Sequence, residues 1–225
     1  MKIGIIGITG KMGCILSDII AQEAELTLTG GISSKNSEDD ICELAKNSDI
    51  LVDFSQPKPA MSAMSAASKI GIPIVSGTTG LSENDFNEIR KFSSLIPILH
   101  ASNFSIGVQL MSILLKKASE ILTEFDVSIV DKHHNKKKDS PSGTALFLKN
   151  AIGRVDTRVA SIRAGGIFGD HSCDFAGENE MLTISHRAFN RKVFAEGAVA
   201  CAKWIIGKNP GLYTMIDYLR IADGG

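Results

Sequence analysis

Short apolar runs alternate with longer amphipathic stretches along the first half of the chain. This rhythm is typical of buried strands separated by helices. Because a helix that follows each strand carries the chain over to a parallel neighbour, the pattern predicts a Rossmann-like parallel sheet with helices on both faces. The predicted elements are the strand Ile3–Ile6, the helix Met12–Ala24, the strand Leu26–Thr29, the helix Asp40–Lys46, the strand Ile50–Phe54, the helix Pro57–Ala67, the strand Ile72–Val75, the helix Ser82–Lys91 and the strand Ile96–Leu99.

The rhythm changes after residue 104, where strand candidates begin to follow one another without regular helices between them. A glycine-rich segment, 163–171, lies between two of these strands. The change predicts a second, α+β domain with a mixed or antiparallel sheet, so that the whole chain belongs to the α/β class. Its predicted elements are the helix Val108–Leu122, the strand Phe125–Val130, the helix Ser142–Ile152, the strands Arg158–Arg163 and Met181–Ser185, and the helix Arg191–Ile206.

Composition narrows the class of protein. Of the 225 residues, 44% are hydrophobic and 22% are charged, and the formal net charge is −1. This balance argues against a nucleic-acid or membrane-surface partner. The N-terminal apolar run is too short for a secretory signal, no run approaches the ~20 apolar residues of a membrane span, and four scattered cysteines fit reduced thiols. We therefore expect a cytoplasmic protein.

A glycine loop follows the first predicted strand, with the spacing G-x-x-G-x-x-G at Gly7, Gly10 and Gly13. In dinucleotide-binding folds this turn holds the pyrophosphate, because glycine lets the backbone approach the phosphate oxygens. Here the loop predicts a nucleotide site. A tight turn without a ligand is the alternative.

Polar turns follow three other predicted strands. After the second strand, Ser33, Ser34 and Lys35 stand where NAD-binding folds usually carry an acidic residue, which favours NADPH over NADH. An ordinary polar loop is the alternative. The turns Gly77–Thr79 and Ala101–Phe104 follow the fourth and fifth strands. Since ligands bind at the carboxyl ends of parallel strands, these turns and the glycine loop predict one cofactor crevice.

The segment 131–144, Asp-Lys-His-His-Asn-Lys-Lys-Lys-Asp-Ser-Pro-Ser-Gly-Thr, carries two histidines and four lysines just before a predicted helix. Ser142 is a good N-cap, and the unpaired amides of the first helical turn attract anions. The segment predicts a pocket for a small, multiply charged acid that exchanges a proton with a histidine. A solvated lysine-rich loop is the alternative. The cysteines and the other histidines lack metal-ligand spacing, so no metal site is predicted.

Taken together, these motifs resemble those of the 4-hydroxy-tetrahydrodipicolinate reductase family, also called dihydrodipicolinate reductase. The string His-His-x-x-Lys-x-Asp-x-Pro-Ser-Gly-Thr, from His133 to Thr144, is the most specific part. The segments Gly166–His171, His186–Ala188, Arg191–Ala198 and Gly211–Tyr213 resemble the same family. The likeness runs nearly from end to end.

The resemblance implies that NADPH or NADH reduces a cyclic, doubly carboxylated imine in the diaminopimelate route to lysine. It implies a dinucleotide-binding domain over residues 1–104, to which 197–225 returns, and a substrate-binding and oligomerisation domain over 105–196, assembled into a homotetramer. His133 is the implied general acid and Lys137 its partner. The implied substrate-binding residues are His134, Lys137, Ser142, Gly143 and Thr144, and the implied cofactor-binding residues are Gly7, Ile8, Thr9, Gly10, Lys11, Met12, Gly77, Thr78, Thr79, Ala101, Ser102, Asn103 and Phe104.

The chain departs from the family pattern at three places. It is shorter between the second and third strands, Asp131 stands where a glutamate is common, and Lys136 adds a charge. Two other functions stay open. One is another two-domain NAD(P)-dependent reductase of amino-acid precursors, of which the aspartate-semialdehyde type needs a catalytic cysteine. The other is a catalytically inactive module that senses a dinucleotide.

Overall fold

The computed structural model describes residues 1–219, which form two compact units. One unit combines Met1–Phe104 with the chain from Phe194 on, and the other is Ser105–Val193. Residues 220–225 of the predicted returning segment lie outside the described residues. The elements in chain order are β1 (Lys2–Ile6), α1 (Lys11–Gln22), β2 (Thr27–Ile32), α2 (Glu38–Lys46), β3 (Ile50–Asp53), α3 (Pro57–Ile70), β4 (Ile74–Ser76), α4 (Glu83–Ser93), β5 (Pro97–His100), α5 (Ile106–Ile121), β6 (Asp126–His133), α6 (Gly143–Ile152), β7 (Arg158–Arg163), β8 (Gly169–Ala176), β9 (Met181–Ala188), α7 (Lys192–Ile205), β10 (Gly211–Tyr213) and α8 (Met215–Leu219).

The first unit is built on a six-stranded sheet in the order β10-β5-β4-β3-β1-β2. Every neighbouring pair is parallel, which confirms the Rossmann-like prediction. Ile3 and Ile5 point to one face and pack with α1 and α7, whereas Ile6 points to the other face and packs with α2, α3 and α4. Strands covered on both faces need apolar residues at successive positions, which explains the short continuous runs in the sequence.

The second unit holds a four-stranded mixed sheet in the order β7-β6-β8-β9, as predicted. β6 is parallel to β7 and antiparallel to β8, and β8 is antiparallel to β9. The strand β8 was not predicted, because its first half lies in the glycine-rich segment and carries polar residues. In addition, β6 extends to His133, three positions beyond the prediction, since its pairing with β8 continues to Lys132 and its pairing with β7 to His133.

Alternate residues of β6 are buried, and this alternation gives the strand a core-facing side. Val127 and Ile129 pack there with residues of α5 and α6 in a single apolar core. Within residues 1–219, no helix has both the length and the apolar character needed to cross a membrane.

Candidate functional site

A cavity of about 780 Å³ opens in the first unit beside the glycine loop. It is lined by the turns that follow β1, β2 and β3. Five predicted cofactor residues line this cavity, namely Gly7, Thr9, Gly10, Ser33 and Ser34. Within the described residues, four other predicted cofactor residues of these turns do not line the cavity, namely Ile8, Lys11, Met12 and Lys35.

Two helices begin at this cavity without a side-chain cap. The N-cap of α1 is Gly10 and that of α3 is Gln56, and neither side chain accepts a hydrogen bond from the first helical turn. By contrast, α2 and α4 begin with capping boxes built on Ser37 and Ser82. The uncapped amides of α1 are therefore available to an anion, whereas Pro57 and Pro59 carry no N–H, so the first turn of α3 offers only the amide of Lys58. The dipoles of both helices favour negative charge there.

The conformation of the glycine loop depends on its glycines. Gly7 has φ +86°, which favours glycine, and its amide donates to the carbonyl of Ile32 at 2.8 Å. A Cβ at Gly13 would lie 2.3 Å from the Gly7 carbonyl oxygen and 2.6 Å from Ile8 Cα. Gly13 thus lets α1 pack closely against the turn, and a phosphate can approach the backbone at Gly10.

The turn after β4 is tied to the end of β3 by a buried carboxylate. Asp53 Oδ2 accepts from Ser76 Oγ at 2.6 Å and from Thr78 Oγ1 at 2.8 Å, and Asp53 also accepts from the amide of Ser55. Burial raises the pKa of Asp53, and this effect is larger than the opposing effect of the hydrogen bonds. Because the Thr78 hydroxyl is used inside the protein, a ligand at this turn would contact the backbone or the exposed Thr79.

Part of the turn after β5 belongs to the apolar core of the first unit. Phe104 is 1% exposed and packs against Phe54 in a tilted arrangement with ring centroids 5.5 Å apart, and Ala101 is also buried. Ser102 is exposed, and Asn103 is buried with a polar interaction of its own. Ser102 and the backbone are therefore the parts of this turn that suit a ligand.

In the second unit, the buried side of β6 changes from apolar to polar along the strand. Asp131 and His133 lie on the same side as Val127 and Ile129, and all four are buried. A charged group at such a position must be paired. The polar end of this helix-covered face is the candidate acid–base site.

Asp131 is fully buried and is the centre of this cluster. Its Oδ1 lies 2.7 Å from His133 Nδ1 and 3.4 Å from His171 Nε2. Its Oδ2 accepts from the amide of Ser142 at 2.9 Å and lies 3.2 Å from Arg163 Nη2. Burial would raise the pKa of Asp131, but the hydrogen bonds from His171 and Ser142 outweigh it and hold that pKa well below its usual range.

The predicted general acid, His133, is 7% exposed. Burial lowers the pKa of its imidazole, the Asp131 carboxylate raises it, and the charges of His171, Lys137 and Arg163 lower it further, so that the net shift is downward. A dianionic substrate would oppose this shift, because two carboxylates favour the protonated ring.

The predicted carboxylate-binding turn is the start of α6. Ser142 caps the helix, since its Oγ accepts from the amide of Ala145 at 3.1 Å, and the same Oγ lies 3.3 Å from His171 Nε2. Gly143 is exposed, and a Cβ there would meet no atom within 4 Å. The fold itself does not require glycine at this position. Thr144 is half-buried and has a polar interaction.

His134 and Lys137 lie in the turn between β6 and α6. The amide of Lys137 donates to the carbonyl of His134 at 3.1 Å, and Lys137 Nζ pairs with Asp139 at 2.9 Å. Lys137 is close enough to His133 to lower the pKa of that histidine. The neighbouring Lys136 and Lys138 are exposed.

Several residues at these two places were not among the predicted site residues. Lys58 and Asn36 line the cavity of the first unit, and His171 and Arg163 contact Asp131 in the second. The segment that contains His171 resembled the family in sequence, which was the one available signal. Asp131, His133 and His171 also bring three possible metal-ligand atoms within 4.8 Å of one another, although their sequence spacing gave no indication of it.

Comparison with known proteins assigns the family. Residues 1–104 match the family model "Dihydrodipicolinate reductase, N-terminus", and residues 107–219 match "Dihydrodipicolinate reductase, C-terminus". Proteins named 4-hydroxy-tetrahydrodipicolinate reductase from Thermosipho africanus and Caldanaerobacter subterraneus are 38% and 36% identical to the chain. The first alignment covers 99% of each chain, and the second covers 95% of this chain and 96% of the relative.

A solved structure has the same fold. The dipicolinate-bound dihydrodipicolinate reductase from Paenisporosarcina sp. TG-14 superposes with a TM-score of 0.80 at 20% identity, over 99% of each chain. Aspartate dehydrogenase from Thermotoga maritima reaches a TM-score of 0.54 at 12% identity and covers 92% of this chain and 97% of its own, which shows a shared fold only. From the two family matches and the close relatives, we conclude that the chain belongs to the dihydrodipicolinate reductase family of nicotinamide-dependent oxidoreductases.

Proposed function

We propose that the protein reduces 4-hydroxy-tetrahydrodipicolinate, a small cyclic dicarboxylate, to tetrahydrodipicolinate with NADPH as the preferred cofactor. The observation that carries this proposal is the buried Asp131–His133 pair beside the start of α6, in a chain of the reductase family. This site combines a group that can donate a proton with a turn that can bind an anion. A negatively charged substrate that must gain a proton requires both.

The residues of the first unit fit a dinucleotide. The uncapped start of α1 at Gly10 suits a pyrophosphate, and the hydroxyls of Ser33 and Ser34 in the same cavity suit a ribose or a phosphate. The nicotinamide supplies the hydride when the cofactor is bound. The turns 77–79 and 101–104 are proposed to hold the nicotinamide side, with contacts mainly from the backbone.

The residues of the second unit handle charge and the proton. The amides at Gly143 and Thr144 bind a carboxylate of the substrate, assisted by His134. His133 donates a proton to the ring as hydride adds, and Lys137 offsets the negative charge that builds up. Lys137 Nζ also lies 2.9 Å from Asp139, so a substrate carboxylate would compete with that surface carboxylate for the ammonium group.

The two buried cysteines do not suit the cysteine chemistry of the aspartate-semialdehyde type. Burial raises the pKa of Cys173 and of Cys201 to about 12, so neither forms a thiolate near neutral pH. A merely dinucleotide-sensing module would have no use for His133, Lys137 and the turn at Ser142 together. The homotetramer and the cytoplasmic location remain predictions.

The experiment that tests the proposal is substrate-dependent oxidation of NADPH by the purified protein, followed by the absorbance of the reduced nicotinamide. We expect turnover with 4-hydroxy-tetrahydrodipicolinate and inhibition by pyridine-2,6-dicarboxylate that is competitive with the substrate. Oxidation of NADPH with aspartate semialdehyde but not with the cyclic substrate would contradict the proposal.

Gly143→Ala separates substrate binding from folding. The protein leaves room for the new methyl group, and alanine is favoured over glycine in a helix by about 0.5–1 kcal/mol, so the melting temperature should not fall. The methyl group would occupy the path of a carboxylate to the helix amides, so we expect at least a tenfold higher KM for the substrate, which corresponds to about 1.4 kcal/mol. Calorimetric titration with pyridine-2,6-dicarboxylate checks this, and unchanged affinity would remove the turn from the site.

Lys58→Ala tests the cofactor preference. Lys58 lines the same cavity as Ser33 and Ser34, and an ammonium group in that cavity favours the extra phosphate of NADPH. A hydrogen bond to a charged group is worth about 1.5–3 kcal/mol, so we expect kcat/KM to fall about tenfold or more with NADPH and little with NADH. Lys46→Ala, on an exposed lysine of α2, is the control. Equal losses with both cofactors, or a wild-type preference for NADH, would contradict the NADPH assignment.

A further inference from the structure

A row of polar residues crosses the sheet of the second unit. Asp131 on β6 is paired with Ser161 on β7 and with His171 on β8, and His171 is in turn paired with His186 on β9. Directly paired residues place their side chains on the same face of a sheet. The row meets the starts of both helices on that face, because Ser142 of the α6 cap binds Asp131 and Ser105 of the α5 cap lies 3.2 Å from His186.

The two oxygens of Asp131 have different partners. Three donors hold Oδ2: the amide of Ser142 at 2.9 Å, Ser161 Oγ at 3.2 Å and Arg163 Nη2 at 3.2 Å. These bonds come from α6 and β7, and they immobilise the carboxylate within the protein. Oδ1 is left to face the two imidazoles.

The ring of His133 is confined on its Nδ1 side. Nδ1 lies 2.7 Å from Asp131 Oδ1, at ion-pair distance although no ring N–H is aligned with that oxygen. The His171 ring meets the His133 ring edge-on at a centroid distance of 5.2 Å. On the opposite side, Gly169 leaves space, since a Cβ there would lie 3.2 Å from His133 Nε2.

We propose that Asp131 is a positioning residue, whose carboxylate, held by Ser142, Ser161 and Arg163, fixes the Nδ1 side of the His133 ring so that Nε2 delivers the proton to the substrate. His171 completes this arrangement from β8 by closing the other side of Oδ1. The inference rests on the proposed role of His133 as the general acid.

The protonation states follow from this arrangement. The imidazolium carries protons on both nitrogens, and Nε2 gives its proton to the carbon that gains electron density from the hydride. This step leaves the His133 imidazole neutral, with its remaining proton on Nδ1. That proton faces the Asp131 carboxylate, which stays ionised. Solvent then returns a proton to Nε2 before the next turnover.

Metal binding is the other use that three such side chains suggest. Against it, Arg163 already lies 3.2 Å from the Asp131 carboxylate and neutralises its charge, and Lys137 lies close enough to affect His133 electrostatically. A divalent cation would be repelled by both. We therefore assign the cluster to proton transfer.

Asp131→Asn tests the proposal through a pH profile. The groups that face His133 are Asp131, which raises the pKa of its ring, and His171, Lys137 and Arg163, which lower it. Since the acid works while protonated, kcat falls as the pH rises through this pKa. Loss of the Asp131 charge should lower the pKa by about 1–3 units, and this falling limb should move to lower pH. We also expect kcat to drop on the order of 10–100-fold, by analogy with the loss of the carboxylate partner of a metal-bound imidazole.

Two further variants define what the pH profile means. Asp131→Glu keeps the charge, so its falling limb should stay closer to that of the wild-type enzyme than the limb of the Asn variant does. Asp174→Asn removes a carboxylate on the neighbouring strand β8 that accepts a hydrogen bond from Thr183, and it should change neither kcat nor the profile. An Asp131→Asn enzyme with a wild-type falling limb would overturn the proposal.

A measurement on the wild-type protein covers the case in which Asp131→Asn does not fold. Nitrogen-15 NMR of the imidazoles, recorded without substrate or cofactor, reports the tautomer of neutral His133. This readout does not depend on which substrate the enzyme reduces. We expect the Nδ1–H tautomer. The Nε2–H tautomer, or a zinc ion bound by Asp131, His133 and His171 in a crystal soaked with zinc, would overturn the proposal.

Discussion

His133→Gln should reduce the kcat for 4-hydroxy-tetrahydrodipicolinate by about 10²–10⁴-fold, because glutamine cannot donate a proton as an acid and general acid assistance typically contributes that factor. The affinity for NADPH should stay near that of the wild-type enzyme, since the cavity proposed for the cofactor is formed entirely by residues of the first unit. Steady-state kinetics and fluorescence titration with NADPH measure the two quantities separately.

The neighbouring histidine supplies the control. His134→Gln alters a residue proposed to bind the substrate, so KM should rise while kcat changes much less. If His133→Gln kept near-normal turnover, or if both variants lost kcat equally, His133 could not be assigned as the acid.

Lys137→Gln should lower both kcat and kcat/KM, by about 10²–10³-fold, the usual cost of removing one group that stabilises charge in a transition state. Lys137 is half-buried, unlike Lys136 and Lys138, and its charge lies close enough to His133 to lower the pKa of that histidine. The measurement is the rate of NADPH oxidation at saturating and at limiting substrate.

Lys136→Gln is the matched control, because Lys136 is the adjacent lysine in the chain and is exposed. It removes the same charge from the same segment without changing the cluster around Asp131. Comparable losses in the two variants would show that the lysines act through the overall charge of the turn, and the specific role of Lys137 would be wrong.

Gly13→Ala and Gly143→Ala illustrate why a glycine motif does not by itself identify a ligand. A methyl group at Gly13 would clash with the backbone of its own turn, whereas one at Gly143 would meet open space. The first glycine serves the packing of α1 against the turn that follows β1, and the second is proposed to leave room for a ligand. The sequence alone did not distinguish these two reasons, since the distinction depends on which atoms lie near each glycine in the folded chain.

The fold class could be predicted because it depends on local regularities. Continuous apolar runs indicated strands covered on both faces, and the glycine loop at Gly7 and the N-cap at Ser142 marked where helices begin. These features involve residues within one or two turns of each other, and they were confirmed. The strands β8 and β10 were missed because a glycine-rich or three-residue segment has no periodicity of its own and forms a strand only by pairing with a distant one.

By itself, the sequence determined the alternation of strands and helices, the family, and the segment in which the candidate acid lies. Only the tertiary structure decided which groups act on that acid. Asp131, Arg163 and His171 lie on three different strands, and the register between β7, β6 and β8 brings them together. Register depends on hydrogen bonds between distant segments and on burial of a whole face, so no local pattern specifies it.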